Sequence, residues 1–245
     1  MRLKDKVALI TGASGGIGGV VALRFAQEGA KIVVNYHNNV ANAEKVVGKI
    51  KEIGGEAISY RADVSSRDDV RRMCDEAVNR LGTIDILINM AGIPRDALLY
   101  KMTEEQWDEV IDVNLKGSFN CAQFASIPMV KQKYGRIINV ASGAIYGQPG
   151  QANYSAAKSG LIGLTKTLAI ELAKFNIIVN CIAVGTIETE LSNRIEPAMK
   201  QSMIDRTMLK RIGKPIEIAN AALFFASEEC SFITGQIIEA RGGAR

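Results

Sequence analysis

Short runs of apolar, often β-branched residues alternate with longer amphipathic stretches along the whole chain. Val7–Thr11, Lys31–Tyr36, Ala57–Arg61, Ile84–Asn89, Arg136–Ala141 and Ile177–Ala183 have the length and composition of buried strands. Between them, the stretch ending at Glu28 and the segments Ala41–Ile53, Arg67–Leu81, Glu104–Lys133 and Tyr154–Lys174 repeat apolar residues at helical spacing, with a break expected near Asn114. A further helix follows Pro215, and Ile237–Glu239 reads as a last strand, either at the edge or inside the sheet. Strands buried on both faces and separated by helices imply an α/β architecture: a doubly wound parallel sheet covered by helices on each side. No linker or repeat divides the chain, so residues 1–245 read as a single domain. Thr186–Gly213 is the least regular stretch. It is either one or two surface helices that send Met199, Met203 and Met208 into the core, or a mobile lid over a substrate site.

That architecture gives Thr11-Gly12-Ala13-Ser14-Gly15-Gly16-Ile17-Gly18 a meaning, because it lies at the first strand-to-helix junction. There a parallel sheet turns backbone N–H groups and a helix N-terminus toward phosphate. Gly12 permits the turn, Gly16 lets the backbone approach a pyrophosphate, and Gly18 permits close packing of the helix. No Lys-Ser/Thr follows, which excludes a Walker loop.

Charge and composition then exclude other functions. The net charge is +4 and no basic run points to nucleic acid. No stretch is long enough to span a bilayer and no signal peptide is apparent, so the expected compartment is the cytoplasm. Cys74, Cys121, Cys181 and Cys230 are scattered singly, as reduced core residues are, and suggest neither a disulfide framework nor a zinc site. His37 is the only histidine, which leaves no material for a hydrolase triad or a multi-histidine metal centre. Acid–base chemistry must come from other groups. Tyr154 and Lys158 stand four residues apart on a helical stretch and so share a face. A lysine cation favours the phenolate, so the Tyr154 pKa is expected to fall toward the working pH, where the phenol exchanges a proton with a carbonyl or alcohol oxygen.

The glycine loop, then Asn89-Met90-Ala91-Gly92, Asn114, Ser142 and finally Tyr154/Lys158 appear in the order of the short-chain dehydrogenase/reductase family, which the whole chain resembles. The resemblance implies a Rossmann fold and a nicotinamide-dependent oxidoreductase. Tyr154 would be the general acid–base group, Lys158 would bind the nicotinamide ribose, Ser142 would donate to the substrate oxygen, and Asn114 would hold a water leading to Lys158. It also implies dinucleotide contacts from Gly12, Ser14, Gly15, Gly16, Ile17 and Gly18. Tyr36, His37, Asp63 and Val64 would contact the adenosine end, and Asn89, Ala91 and Gly92 the adenine ribose side. Gly185, Thr186, Ile187 and Thr189 would lie near the nicotinamide. The segment Val34–Asn38 carries no acid to repel a 2′-phosphate, and Asn35 and His37 bear donors, so NADP(H) is favoured over NAD(H).

Gly150–Leu164, Ile187–Glu190 and Ile233–Gln236 are most similar to bacterial 3-oxoacyl-acyl-carrier-protein reductases. The implied substrate is a 3-oxoacyl thioester borne on acyl carrier protein. Secondary alcohols, ketones, sugars or steroids are the alternatives, and a non-catalytic nucleotide-binding regulator is a further one. Lys131, Lys133, Lys174 and Arg211 are either a landing surface for an acidic carrier or a solvated face. The family also implies a homotetramer, with Phe119, Phe124, Leu161, Leu164 and Leu168 either at a helix-pair interface or packed on the chain's own sheet. Three departures stand out: Val184-Gly185 replaces Pro-Gly, the Ser142–Tyr154 loop is one residue short, and Arg241 interrupts the usual Asp-Gly-Gly.

Overall fold

The computed structural model describes residues 1–190, 192 and 196–243. Seven parallel strands form one sheet in the order β3-β2-β1-β4-β5-β6-β7. They are β1 (Val7–Ile10), β2 (Lys31–Tyr36), β3 (Ala57–Arg61), β4 (Ile86–Asn89), β5 (Gly135–Ser142), β6 (Ile177–Val184) and β7 (Ile237–Ala240). The order reverses between β1 and β4, where α/β sheets open a crevice at the strand C-termini. Ile237–Glu239 therefore lies in an edge strand, extended to Ala240.

Alternate residues of each strand enter opposite core layers. Ala8, Ile10, Ile32, Val34, Ile86, Ile88 and Ile182 face α1 (Gly16–Gln27), α2 (Val40–Glu52) and α8 (Pro215–Ala226). Val7, Leu9, Val33, Leu87, Ile137 and Val179 face α3 (Arg67–Leu81), α5 (Gly117–Gln132) and α6 (Ala152–Leu172). This two-sided burial is why the strands read as continuous apolar runs. Local chemistry sets the helix ends. Ser66 accepts the Asp69 N–H at the start of α3, and Gly82 ends it in the left-handed region. Thr103 and Gln106 form a capping box at α4 (Glu104–Ile111).

The break expected near Asn114 is a π-helical turn, Asp112–Lys116, between α4 and α5. The expected helix interface residues divide: Leu161, Phe124 and Leu168 pack within the chain, whereas Phe119 is exposed. In the irregular stretch, Ile187 bridges Gly213 and α7 (Pro197–Asp205) follows. Leu191 and residues 193–195 of the stretch lie outside the described residues. None of α7 is buried and Met199 and Met208 are exposed, so these methionines do not enter the core. Among the described residues no helix is long and apolar enough to cross a membrane.

Candidate active site

The crevice at the C-terminal ends of β1 and β4 is tied by Thr11. Its Oγ1 accepts the N–H groups of Met90 and Ala91, each at 3.0 Å. Gly12 has φ +64°, and a Cβ there would lie 2.9 Å from Ala91 Cα. A Cβ on Gly18 would lie 2.5 Å from Gly12 O, so only glycine lets the loop and α1 close on each other. Gly15 and Gly16, by contrast, face open space. The α1 N-terminus carries no side-chain cap and no acid in its first turn. Unpaired N–H groups beside an open glycine crest fit a pyrophosphate.

At the adenosine end, a cavity of about 260 Å³ is lined by His37, Tyr60, Arg61, Asp63, Asp69 and Arg72. No acid ends β2. Asp63 Oδ1 accepts from Ser65 N and Oγ at 2.9 and 2.7 Å, and its Oδ2 lies 3.8 Å from His37 Nε2. Val64 is buried against Gly117, and Tyr36 is half-buried. Asn35 cannot act as the expected donor to a 2′-phosphate. It points inward, receives the Gly12 N–H at 3.2 Å and donates to Ala62 O at 3.1 Å. Asn89 is likewise turned into the protein, donating to Ser118 O and Asn139 Oδ1.

Of the predicted catalytic residues, Asn114 and Lys158 meet at Gly92, and Tyr154 lies beside Lys158 and Ser142. Asn114 is fully buried, and its Nδ2 donates to Ile93 O and Val110 O at 3.0 and 2.9 Å. Its Oδ1 has no partner. A Cβ on Gly92 would collide with that oxygen and lie 3.3 Å from Lys158 Nζ, so both groups face the space a side chain would fill. Lys158 donates to Val140 O at 2.9 Å and its Nζ is 5.6 Å from the Tyr154 ring centroid. Ser142 ends β5, where its Oγ accepts the Ala144 N–H at 3.2 Å.

The expected lowering of the Tyr154 pKa is not found. Burial raises it, a hydrogen bond with Ser142 pulls it down, and Asp96 raises it. Lys158 changes more: burial lowers it to about 8, opposed by Cys181. Desolvation is the largest cause for both groups, and the resting site keeps its proton on the phenol. That is the form able to give a proton away.

Beyond these, Gly185 N–H donates to Ala240 O, and Thr186 O accepts the Gly213 N–H. Ile187 is buried, and Thr189 exchanges hydrogen bonds with Ser192. Sequence reasoning missed Asn153. It is fully buried, accepts the Tyr154 N–H at 2.7 Å and donates to Arg95 O and Gln106 O, so it fixes the start of α6. An Asn at a helix start was the available signal. Among the described residues no group of acidic, His or Cys side chains is placed to hold a metal.

The fold and the site together define a dinucleotide-binding α/β protein with a tyrosine–lysine pair at the crevice. Residues 12–245 match the family model described as "Enoyl-(Acyl carrier protein) reductase". The chain is 47% identical over 241 residues to a 3-oxoacyl-[acyl-carrier-protein] reductase of Staphylococcus epidermidis, covering 98% of each. It is 46% identical over 244 residues to a protein of the same name from Thermotoga maritima, covering 99% of each. A solved structure described as a putative short-chain alcohol dehydrogenase from Sinorhizobium meliloti superposes with a TM-score of 0.95 at 35% identity, over 99% of this chain and 97% of that one. The chain belongs to the short-chain dehydrogenase/reductase family. It is an oxidoreductase that works on carbonyl or hydroxyl groups with a nicotinamide cofactor.

Proposed function

We propose that the chain reduces a 3-oxoacyl thioester to its 3-hydroxyacyl form with NADPH. The observation that carries the reading is the convergence of Tyr154, Lys158, Ser142 and the unpartnered Asn114 Oδ1 in a chain so similar to 3-oxoacyl-[acyl-carrier-protein] reductases. The residues fit the cofactor: Gly12, Ser14, Gly15, Gly16, Ile17 and Gly18 would hold the pyrophosphate, and Tyr36, His37, Asp63 and Val64 the adenosine. The backbone of Asn89, with Ala91 and Gly92, would border the ribose, with Gly185, Thr186, Ile187 and Thr189 at the nicotinamide. A bound nicotinamide supplies the hydride. Ser142 Oγ donates to the carbonyl oxygen as negative charge gathers there. Tyr154 gives that oxygen its hydroxyl proton, and Lys158 stabilises the resulting tyrosinate. Asn114 Oδ1, a buried acceptor with no protein partner, supports a water that returns a proton toward Lys158.

The test is NADPH consumption with 3-oxoacyl thioesters, simple ketones, sugars and steroids in parallel. The thioesters should lead in kcat/KM by about tenfold or more, a difference of ~1.4 kcal/mol in transition-state binding. A ketone, sugar or steroid that equals them contradicts the substrate reading.

The NADPH preference rests on the absence of an acid at the end of β2 and on Arg61. Arg61 shares the adenosine-end cavity, and its Nε donates to His37 O at 3.2 Å. Arg72 in the same cavity is paired with Asp69. Arg61→Ala should weaken NADPH binding by about tenfold and leave NADH binding nearly unchanged, as loss of a charge-assisted phosphate contact does. NADH binding tenfold tighter than NADPH in the unmodified protein would refute the preference.

The remaining expectations join this reading. Acyl carrier protein is the proposed donor. Lys131, Lys133 and Lys174 flank the starts of β5 and β6, about 23 Å from the site at ~3.3 Å per strand residue. That is the edge of the sheet opposite the site, with the buried core between, so these lysines are the solvated face and not the carrier's landing surface. Arg211 is held by Glu217 at 2.5 and 2.8 Å. The exposed α7 serves as the substrate lid. Exposed Phe119, Ile127 and Ile170 on α5 and α6, and Phe232 and Ile238 near the β7 edge, support two self-contacts and hence a tetramer, which light scattering of the purified protein tests. The cytoplasm remains the proposed compartment.

A further inference from the structure

Three strands end side by side at the substrate rim. Ser142 of β5 pairs with Val184 of β6, and Val184 pairs with Ala240 of β7. The next residue on each strand is Gly143, Gly185 and Arg241. Arg241 runs back across both glycines. A Cβ on Gly185 would lie 2.8 Å from Arg241 Cα and 3.2 Å from its Cβ, and a Cβ on Gly143 would lie 2.8 Å from Arg241 Nε. The guanidinium ends over the Tyr146 ring, 4.7 Å from its centroid, and Nη1 binds Glu239 Oε2 at 2.8 Å. Tyr146 Oη in turn bonds Glu239 Oε1. Arg241 is only 11% exposed although both partners are open to solvent.

From this geometry we infer that Arg241 is a positioning residue: it bolts the Ser142–Gly147 turn to the ends of β6 and β7 and so fixes the Ser142 hydroxyl against Tyr154. No backbone hydrogen bond spans β5 and β7, which are not neighbours. The only covalent route from Ser142 to Tyr154 is the intervening loop, with Gly147 and Gly150 both in the left-handed region. A planar cation stacked on Tyr146 and paired with Glu239 holds that loop from outside. Lysine would keep the charge but lose the flat fork and the stack. Two glycines are needed for the side chain to pass, so sequence and geometry agree on one arrangement.

The inference rests on the reading of Ser142 given above, and a double-mutant cycle separates the two. Arg241→Met should lower kcat about tenfold, within the cost of a sub-ångström to ångström misplacement. NADPH affinity, measured by direct fluorescence titration, should change by less than about twofold, because the residues proposed to hold the pyrophosphate and adenosine lie elsewhere and Arg241 meets the nicotinamide end only through the backbone at Gly185, which the substitution keeps. In a Ser142→Ala background the same change should cost less than about twofold, since the group it positions is gone. The high-pH limb of kcat, where the Tyr154 proton is lost, should move upward in Arg241→Met, because the Ser142 bond that holds that pKa down is loosened. Arg241→Lys should fall between wild type and Arg241→Met. Should Arg241→Met fail to fold, Arg241→Lys and Glu239→Gln carry the same cycle. Wild-type kcat in the Arg241 variants, or an equal loss with and without Ser142, overturns the inference alone. A Ser142→Ala variant with normal kcat overturns the reading of the site and the inference with it.

Discussion

At the edge of the sheet where the strands begin, Asp85 uses everything it has. Its Oδ2 accepts the Val7 N–H at 2.8 Å and its Oδ1 the Gln132 amide at 3.1 Å. Its own N–H and C=O join Val7 and Arg136. At the edge where the same strands end, Asn114 keeps a buried oxygen without a partner, α1 begins uncapped, and Lys158 is buried with one hydrogen bond. Polar groups at the first edge hold strands together. Polar groups at the second are held in place by their neighbours with valences left over. A buried unsatisfied group costs about 1–3 kcal/mol; at the second edge it falls on the acceptors Asn89 Oδ1 and Asn114 Oδ1, and at the first on the donor Arg136 Nε, whose other guanidinium nitrogens bond Gly135 O and Glu228.

The strongest break of this comparison is Lys158→Met. Activity should vanish, because the tyrosinate loses its cation, while the protein without added cofactor becomes more stable at neutral pH. The folded-state pKa of Lys158 lies near 8, below its ordinary 10.5, so the unfolded chain binds this proton more tightly. The penalty is on the order of 3 kcal/mol below pH 8 and disappears as the pH rises through 10.5. Thermal melting of wild type and variant across that window checks the sign: the variant's advantage should shrink with rising pH.

Next in size is Gly92→Ala. Its methyl group enters the space shared by Asn114 Oδ1 and Lys158 Nζ, so kcat should fall while stability drops by about 1–3 kcal/mol from overpacking. Steady-state kinetics beside chemical denaturation separates the two effects. Asp85→Ala should do the reverse at the opposite edge. It leaves the Val7 N–H and the Gln132 amide unpaired and costs about 1–3 kcal/mol, with kcat within twofold of wild type at a temperature where the variant is folded.

The sequence made one edge of this molecule more legible than the other features. Two-sided burial writes each strand as an apolar run, so β1 to β6 stand out. The i, i+4 spacing places Tyr154 beside Lys158 without any knowledge of packing. What could not be read depends on the third dimension. Asn35 sits in β2 at a position whose side chain turns inward to Gly12 and Ala62, which strand alternation alone does not reveal when both faces are buried. The raised Tyr154 pKa comes from burial, and burial is a property of the assembled fold. Arg241 looked like an irregularity near the C-terminus. Its role depends on the register that aligns Ser142, Val184 and Ala240, which no local pattern encodes.

The most direct test of the central claim is the kcat of Tyr154→Phe, with NADPH affinity measured on the same sample. The phenyl ring keeps the shape and removes only the proton that the substrate oxygen is to receive. The account predicts a fall of about 10²–10⁴-fold in kcat, the usual worth of a general acid, with NADPH still bound. A variant that turns over at the wild-type rate contradicts it.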